Sequence, residues 1–123
     1  MPPHCALTFA APEAVIAFED DRQLAVHASQ DVWALGVVAY TVLTQRDVFD
    51  EAEGLDAVVK FARGERKYPW EARGAAGSWI ACPARDVFQP CLARDPTRRP
   101  SAAELVRSVQ AFVNANARKS FMQ

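Results

Sequence analysis

Cysteine is scarce in this 123-residue chain: Cys5, Cys82 and Cys91 are three in number and far apart. An odd count without any C-x-x-C excludes a disulfide framework and points to reduced thiols. The two histidines, His4 and His27, stand at no metal-ligand spacing from a cysteine. Neither sign of charge dominates, with 14 basic against 15 acidic residues. A nucleic-acid-binding surface ordinarily shows a basic excess, and none is present. The longest uncharged apolar-rich run, residues 32–44, falls short of the ~20 residues needed to cross a bilayer. The opening MPPHCALTF has no basic n-region followed by a long apolar stretch, so no signal peptide is expected. Together these absences predict a protein that works inside the cell, in the cytoplasm, without nucleic-acid or membrane partners. Half of the residues are apolar and the net charge is −1, which argues against disorder.

Helical signals dominate what is there. Pro12 followed by Glu13 starts a short first helix through Phe18, before the acidic run Glu19-Asp20-Asp21. A second helix begins near Ser29-Gln30-Asp31, with Ser29 available as a cap and Asp31 facing the positive end of the helix dipole. It runs to Leu43 without a polar stripe, so it should be buried on nearly all sides. Leu55, Val58, Val59 and Ala62 define one face of a third helix from Gly54 to Ala62, and Gly64 stops it. Residues 65–82 read as a loop, with Trp70 and Trp79 as anchors. Pro83 opens a fourth helix through Val87, Phe88 and Leu92, in which Pro90 is out of place. Ser101-Ala-Ala-Glu104 is a capping box for the last helix, whose apolar face is Leu105, Val106, Val109, Phe112 and Val113. Residues 114–123 are expected to fray. The predicted fold class is all-α, about five helices without a substantial sheet.

Three strings carry chemical information: Ala11-Pro12-Glu13, Asp31-Val32-Trp33-Ala34-Leu35-Gly36, and Cys91-Leu92-Ala93-Arg94-Asp95-Pro96-Thr97-Arg98-Arg99-Pro100. In this order the chain resembles the C-terminal half of the eukaryotic protein kinase domain, from the A-P-E motif onward. The resemblance spans residues 1–113 as a partial kinase domain, helical C-lobe only, with 114–123 as a tail. It implies that Glu13 pairs with Arg99, tying the first helix to the approach of the last. Arg is suited to that task because its planar fork binds a carboxylate through two parallel hydrogen bonds. The resemblance further implies that Asp31 accepts hydrogen bonds from the catalytic loop of an intact kinase. Trp33 and Gly36 are then structural, a core indole and a close-approach glycine. Leu35 within W-A-L-G is similar to serine/threonine rather than tyrosine kinases.

A kinase positions ATP and Mg²⁺ with a Gly-rich loop, a strand Lys and catalytic and metal-binding acids. The glycines, at 36, 54, 64, 74 and 77, form no G-x-G-x-x-G, and neither H-R-D nor D-F-G occurs. No catalytic, cofactor or metal residue is therefore assigned; ATP and Mg would belong to an intact parent, and the chain alone is expected to be inactive. On the substrate-loop side, Ala6 stands where serine/threonine kinases carry Thr. Phe9 takes the place of the usual aromatic, and Thr8 is the only hydroxyl residue upstream of the motif. Residues 19–28 read as an inserted loop. The alternative to a partial kinase domain is a kinase-derived, non-catalytic module that docks on a protein. In either case the second helix should leave apolar surface open, through which the chain would associate with a partner or with itself.

Overall fold

A computed structural model describes residues 9–49, 54–71 and 77–122. The elements are helical: α1 Pro12–Glu19, α2 Ala28–Thr44, α3 Gly54–Ala62, α4 Gly77–Ile80, α5 Arg85–Phe88 and α6 Ala102–Met122. Two 3₁₀ turns, Gln89–Leu92 and Pro96–Arg98, lie between α5 and α6. Among the described residues there is no strand, in keeping with the all-α expectation.

Most boundaries fall where local chemistry puts them. Pro12 occupies the first turn of α1, where a missing N–H costs nothing, and Glu13 adds a negative charge to that turn. Gly64, at φ +80°, takes the left-handed conformation just past α3. The capping box before α6 is formed as expected: Ser101 Oγ accepts from the Glu104 amide at 3.1 Å, and Glu104 Oε1 accepts from the Ser101 amide at 3.3 Å.

Elsewhere the structure differs from the sequence reading. Ser29 is not the cap of α2. His27, in extended conformation, takes that place, and its Nδ1 accepts from the Ser29 amide at 3.1 Å. An imidazole nitrogen is an acceptor as competent as a hydroxyl, which a reading confined to Ser, Thr, Asp and Asn overlooks. The fourth helix is broken. α5 ends at Phe88, and Pro90 falls in the first turn of the 3₁₀ segment, where its missing donor does no harm. The loop expected over 65–82 contains one helical turn, α4, which seats Trp79. The backbone of α6 continues helical past Val113, through the segment expected to fray. There Asn116 Nδ2 donates to the Phe112 carbonyl, and the side chains from Val113 to Arg118 are exposed.

α2 is the axis of the molecule. One side carries Trp33, Val37 and Tyr40 into a core shared with Phe61, Tyr68, Trp70, Trp79 and Leu92. The aromatic rings meet edge to face, except that Tyr68 stacks on Trp70, with centroids 4.8 Å apart, and on Phe61. Both predicted tryptophan anchors are thus buried. Val15, Val58 and Ala62 hold α1 against α3, while Val32, Cys91 and Leu105 join α2, the 3₁₀ turn and α6. Burial of α2 on nearly all sides is not found: Leu35, Val38 and Val42 stay 46%, 44% and 59% exposed. Their spacing of three and four residues makes them one stripe along the helix.

Candidate functional site: the Glu13–Arg99 junction

Glu13 and Arg99 meet across 86 residues of chain. Arg99 Nη1 donates to Glu13 Oε2 at 2.7 Å and Nη2 to Oε1 at 2.8 Å, a two-pronged pair. The Arg99 side chain is 0% exposed and that of Glu13 is 22% exposed. The rest of the guanidinium is also engaged. Nε donates to the Ala93 carbonyl at 2.8 Å, Nη1 to the Ser29 carbonyl at 3.1 Å, and Nη2 to the Arg94 carbonyl at 3.3 Å. Its central carbon lies 5.1 Å from the centre of the Trp33 ring. One residue therefore joins the start of α1, the first turn of α2 and the 93–95 segment. Burial of the guanidinium is offset because its edges and face meet a carboxylate, backbone carbonyls and a π cloud.

Local sequence explains how Arg99 arrives there. Asp95 caps the 3₁₀ turn Pro96–Arg98, its Oδ1 accepting from the Thr97 amide at 2.9 Å and the Thr97 hydroxyl at 2.6 Å. These two bonds, the hydroxyl foremost, hold the Asp95 carboxyl below its ordinary pKa. The turn aims Arg98 at solvent and Arg99 inward.

Gly36 brings the same segment onto α2. A Cβ at this position would stand 2.8 Å from Cys91 Cβ and 2.9 Å from Leu92 Cδ2, closer than atoms can approach. The expected close-approach role is met. Cys91 is fully buried at this contact, and burial pushes its thiol up to about 11.

Of the other predicted residues, Ala11 is buried in the main core and Pro12 in the first turn of α1, both beside the junction. Asp31 is exposed in the first turn of α2, and its side chain makes no hydrogen bond or ion pair among the described residues. Only its local role beside the helix N-terminus is seen. Phe9 is exposed. Ala6 and Thr8 lie outside the described residues.

Sequence reasoning missed a second junction. Arg94 grips Glu71 through Nε to Oε2 and Nη2 to Oε1, each 2.9 Å. It also donates to the carbonyls of Phe61 at 2.7 Å and Arg66 at 3.2 Å, and lies 4.7 Å from the Tyr68 ring centre. Glu71 Oε1 in turn accepts from the Tyr68 amide at 2.9 Å. The available signal was an Arg beside the Asp95-Pro96 turn and an acid next to Trp70 in an aromatic-rich loop.

A helical domain organised around a buried Arg–carboxylate pair between an A-P-E helix and a D-P-x-x-R-P turn is the class defined here. The family model for the protein kinase domain matches residues 3–109. The chain belongs to the protein kinase domain family. It is 33% identical over 117 residues to the serine/threonine-protein kinase SBK1 of Mus musculus, covering 92% of this chain and 27% of that protein. It is 25% identical over 113 residues to the serine/threonine-protein kinase ppk13 of Schizosaccharomyces pombe, covering 90% of this chain and 30% of that protein. With the serine/threonine-protein kinase Nek9 of Xenopus laevis it shares 34% over 76 residues, 62% of this chain and 8% of the other. The chain thus spans less than a third of the length of these curated relatives.

Proposed function

We propose that this chain is the C-terminal, helical part of a serine/threonine-type protein kinase domain. The intact parent would transfer the γ-phosphate of ATP to a protein Ser or Thr, and the chain alone carries no phosphotransfer. The observation behind this reading is the Glu13–Arg99 pair, formed by the motif residues that the family resemblance selected. Its geometry fixes a scaffold, and a scaffold positions a loop without itself reacting. The residues present do not fit a magnesium nucleotide. The sequence contains no G-x-G-x-x-G, no H-R-D and no D-F-G. Phosphoryl transfer rests on positioning and charge neutralisation by those groups.

The cytoplasm, where kinase substrates and reduced thiols coexist, is the compartment proposed. Among the described residues no helix is long and apolar enough to cross a membrane. A protein substrate or partner is favoured over nucleic acid, since the net charge of −1 offers no basic footprint.

The test has two arms. Purified chain with labelled ATP, Mg²⁺ and generic protein acceptors should incorporate no phosphate and show no nucleotide-dependent thermal shift; phosphate incorporation would refute the inactivity, and saturable ATP binding would refute the absence of a nucleotide site. The parent reading predicts in-frame H-R-D and D-F-G codons upstream of Met1, and stop codons there would refute it. That second outcome would favour the alternative, a non-catalytic kinase-derived interaction module, for which the open stripe on α2 is the specific observation.

A further inference from the structure

We propose that the bond between Leu24 and Ala25 is a processing site, cut by an endoprotease that takes a large apolar residue on the acyl side, and that the nicked chain stays assembled. The inference goes beyond the kinase reading and does not depend on it. Every residue from Phe18 to Ala28 is exposed, as sites of proteolytic nicking are. Within that stretch, residues 22–27 pass through no helix, turn or bend; none has positive φ, and His27 is extended. Other large apolar side chains are exposed too, but they stand in helices or, at Phe9, in a turn. Leu24, 41% exposed, and Val26, 94% exposed, are the exceptions among the described residues.

A serine endoprotease binds its substrate as an added strand, through main-chain hydrogen bonds around the bond and a pocket for one side chain. The amides of Leu24, Ala25 and Val26 donate to nothing among the described residues. The Leu24 side chain can therefore enter an apolar pocket without any helix having to unfold. Arg22, two residues earlier, is tied down: its amide donates to the Ala17 carbonyl at 2.8 Å, and Nη2 lies 3.7 Å from Asp20 Oδ2. The segment thus suits a protease of apolar preference and not one of basic preference. Water is the co-reactant. The C–N bond between Leu24 and Ala25 breaks, hydroxyl joins the Leu24 carbonyl carbon, and the proton goes to the Ala25 nitrogen. Both new ends are held. On the N-terminal side Glu13 pairs with Arg99, Val15 packs with Val58 and Ala62, and Asp20 meets Arg63 at 2.6 Å. On the other side Gln30 Nε2 donates to the Ala25 carbonyl at 3.0 Å, and His27 caps α2.

Brief digestion of the native full chain with chymotrypsin tests this. Intact mass and N-terminal sequencing should place the first cut between residues 12 and 113 after Leu24. The two pieces should co-elute in native size exclusion and separate in denaturant. The nicked form should melt at a lower temperature, with a midpoint that rises with protein concentration. Ala25→Pro blocks the bond and gives up only an amide without a partner, so it should abolish this cut while leaving far-UV circular dichroism unchanged. Leu24→Asp, at an exposed position, should do the same. Trypsin at the same ratio and for the same time should leave Arg22–Gln23 intact. A first chymotryptic cut elsewhere in that range overturns the site, and equally fast tryptic cutting after Arg22 overturns its apolar selectivity. Pieces that separate without denaturant overturn the assembled product.

Discussion

Arg99 and Arg94 lie five residues apart and make almost the same set of contacts, in two different environments. Each holds a carboxylate by two hydrogen bonds, donates to backbone carbonyls and rests on an aromatic ring. Arg99 is 0% exposed and spans 86 residues to its partner. Arg94 and Glu71 are 30% and 28% exposed and 23 residues apart. The same side chain therefore has two roles. Burial makes Arg99 indispensable, since an unpaired charge there has no water to turn to. Solvent access makes Arg94 a brace, whose loss water partly repairs.

The largest effect should come from breaking the buried pair on one side. Arg99→Met leaves Glu13 without its cation and should cost about 3–5 kcal/mol. Urea unfolding checks this as a fall in midpoint at unchanged slope. Arg99→Lys should recover little, because a point charge cannot reproduce the fork. Reversing the pair should fail as well. In an Arg99→Glu, Glu13→Arg double variant, the carboxylate introduced at position 99 would face the carbonyls of Ala93, Arg94 and Ser29, which now accept from Arg99. Full recovery by the reversed pair would show that the carboxylate alone matters.

Gly36 tests whether the two arginines depend on a common seat. The segment carrying both is pressed onto α2 at Cys91 and Leu92. Gly36→Ala inserts a methyl where Cys91 Cβ is 2.8 Å away, and overpacking of this kind costs about 1–3 kcal/mol. The better helix propensity of Ala, up to about 1 kcal/mol, is the only offset. Thermal unfolding should show the loss, and Cys91, inert in the parent, should become alkylated in peptide-resolved mass spectrometry. A more stable Gly36→Ala variant would mean that the segment yields easily.

Arg94→Met should fall below both, at about 1–2 kcal/mol, since its hydrogen bonds are charged but its pair is partly solvated. Added salt separates the two junctions. Arg94–Glu71 should lose part of its contribution at high ionic strength while Glu13–Arg99 keeps it. Equal salt sensitivity would erase the distinction drawn from burial.

Sequence alone reached one of these junctions and missed the other for a physical reason. Glu13 and Arg99 lie in ordered motifs, so family resemblance could pair them across the chain. The capping box at Ser101 was legible because it follows from local geometry, while Trp33 and Gly36 were read from the motif that contains them, Gly36's contact lying far along the chain at Cys91 and Leu92. Arg94 has no motif partner: Glu71 lies in a loop whose path depends on Tyr68 stacking on Trp70, a packing fact absent from local pattern. Pro90 shows the middle case. Its conflict with a continuous helix was visible, but the resolution, a 3₁₀ turn after Phe88, required knowing that Cys91 and Leu92 must reach α2. His27 replaced Ser29 as cap because the chain enters α2 earlier than the polar pattern suggests.

The smallest expected effect lies between the two arginines, at Asp95. Its carboxyl is held below the ordinary value first by the Thr97 hydroxyl and then by the Thr97 amide. A carboxylate depressed on folding contributes stability that is present above its unfolded pKa and lost as pH falls through its folded pKa. Thr97→Val removes the hydroxyl and keeps the amide, so the Asp95 pKa should rise toward 3.8 without reaching it. The window over which acid costs stability should narrow accordingly. Carboxyl-carbon NMR titration reads the shift directly. An unmoved Asp95 would assign the depression to the backbone amide and the neighbouring arginines, and would make the 3₁₀ cap before Arg99 independent of Thr97. The exposed Asp95 would then stand at the solvated end of the series that runs through Arg94–Glu71 to the buried Arg99, where loss of a partner is costliest.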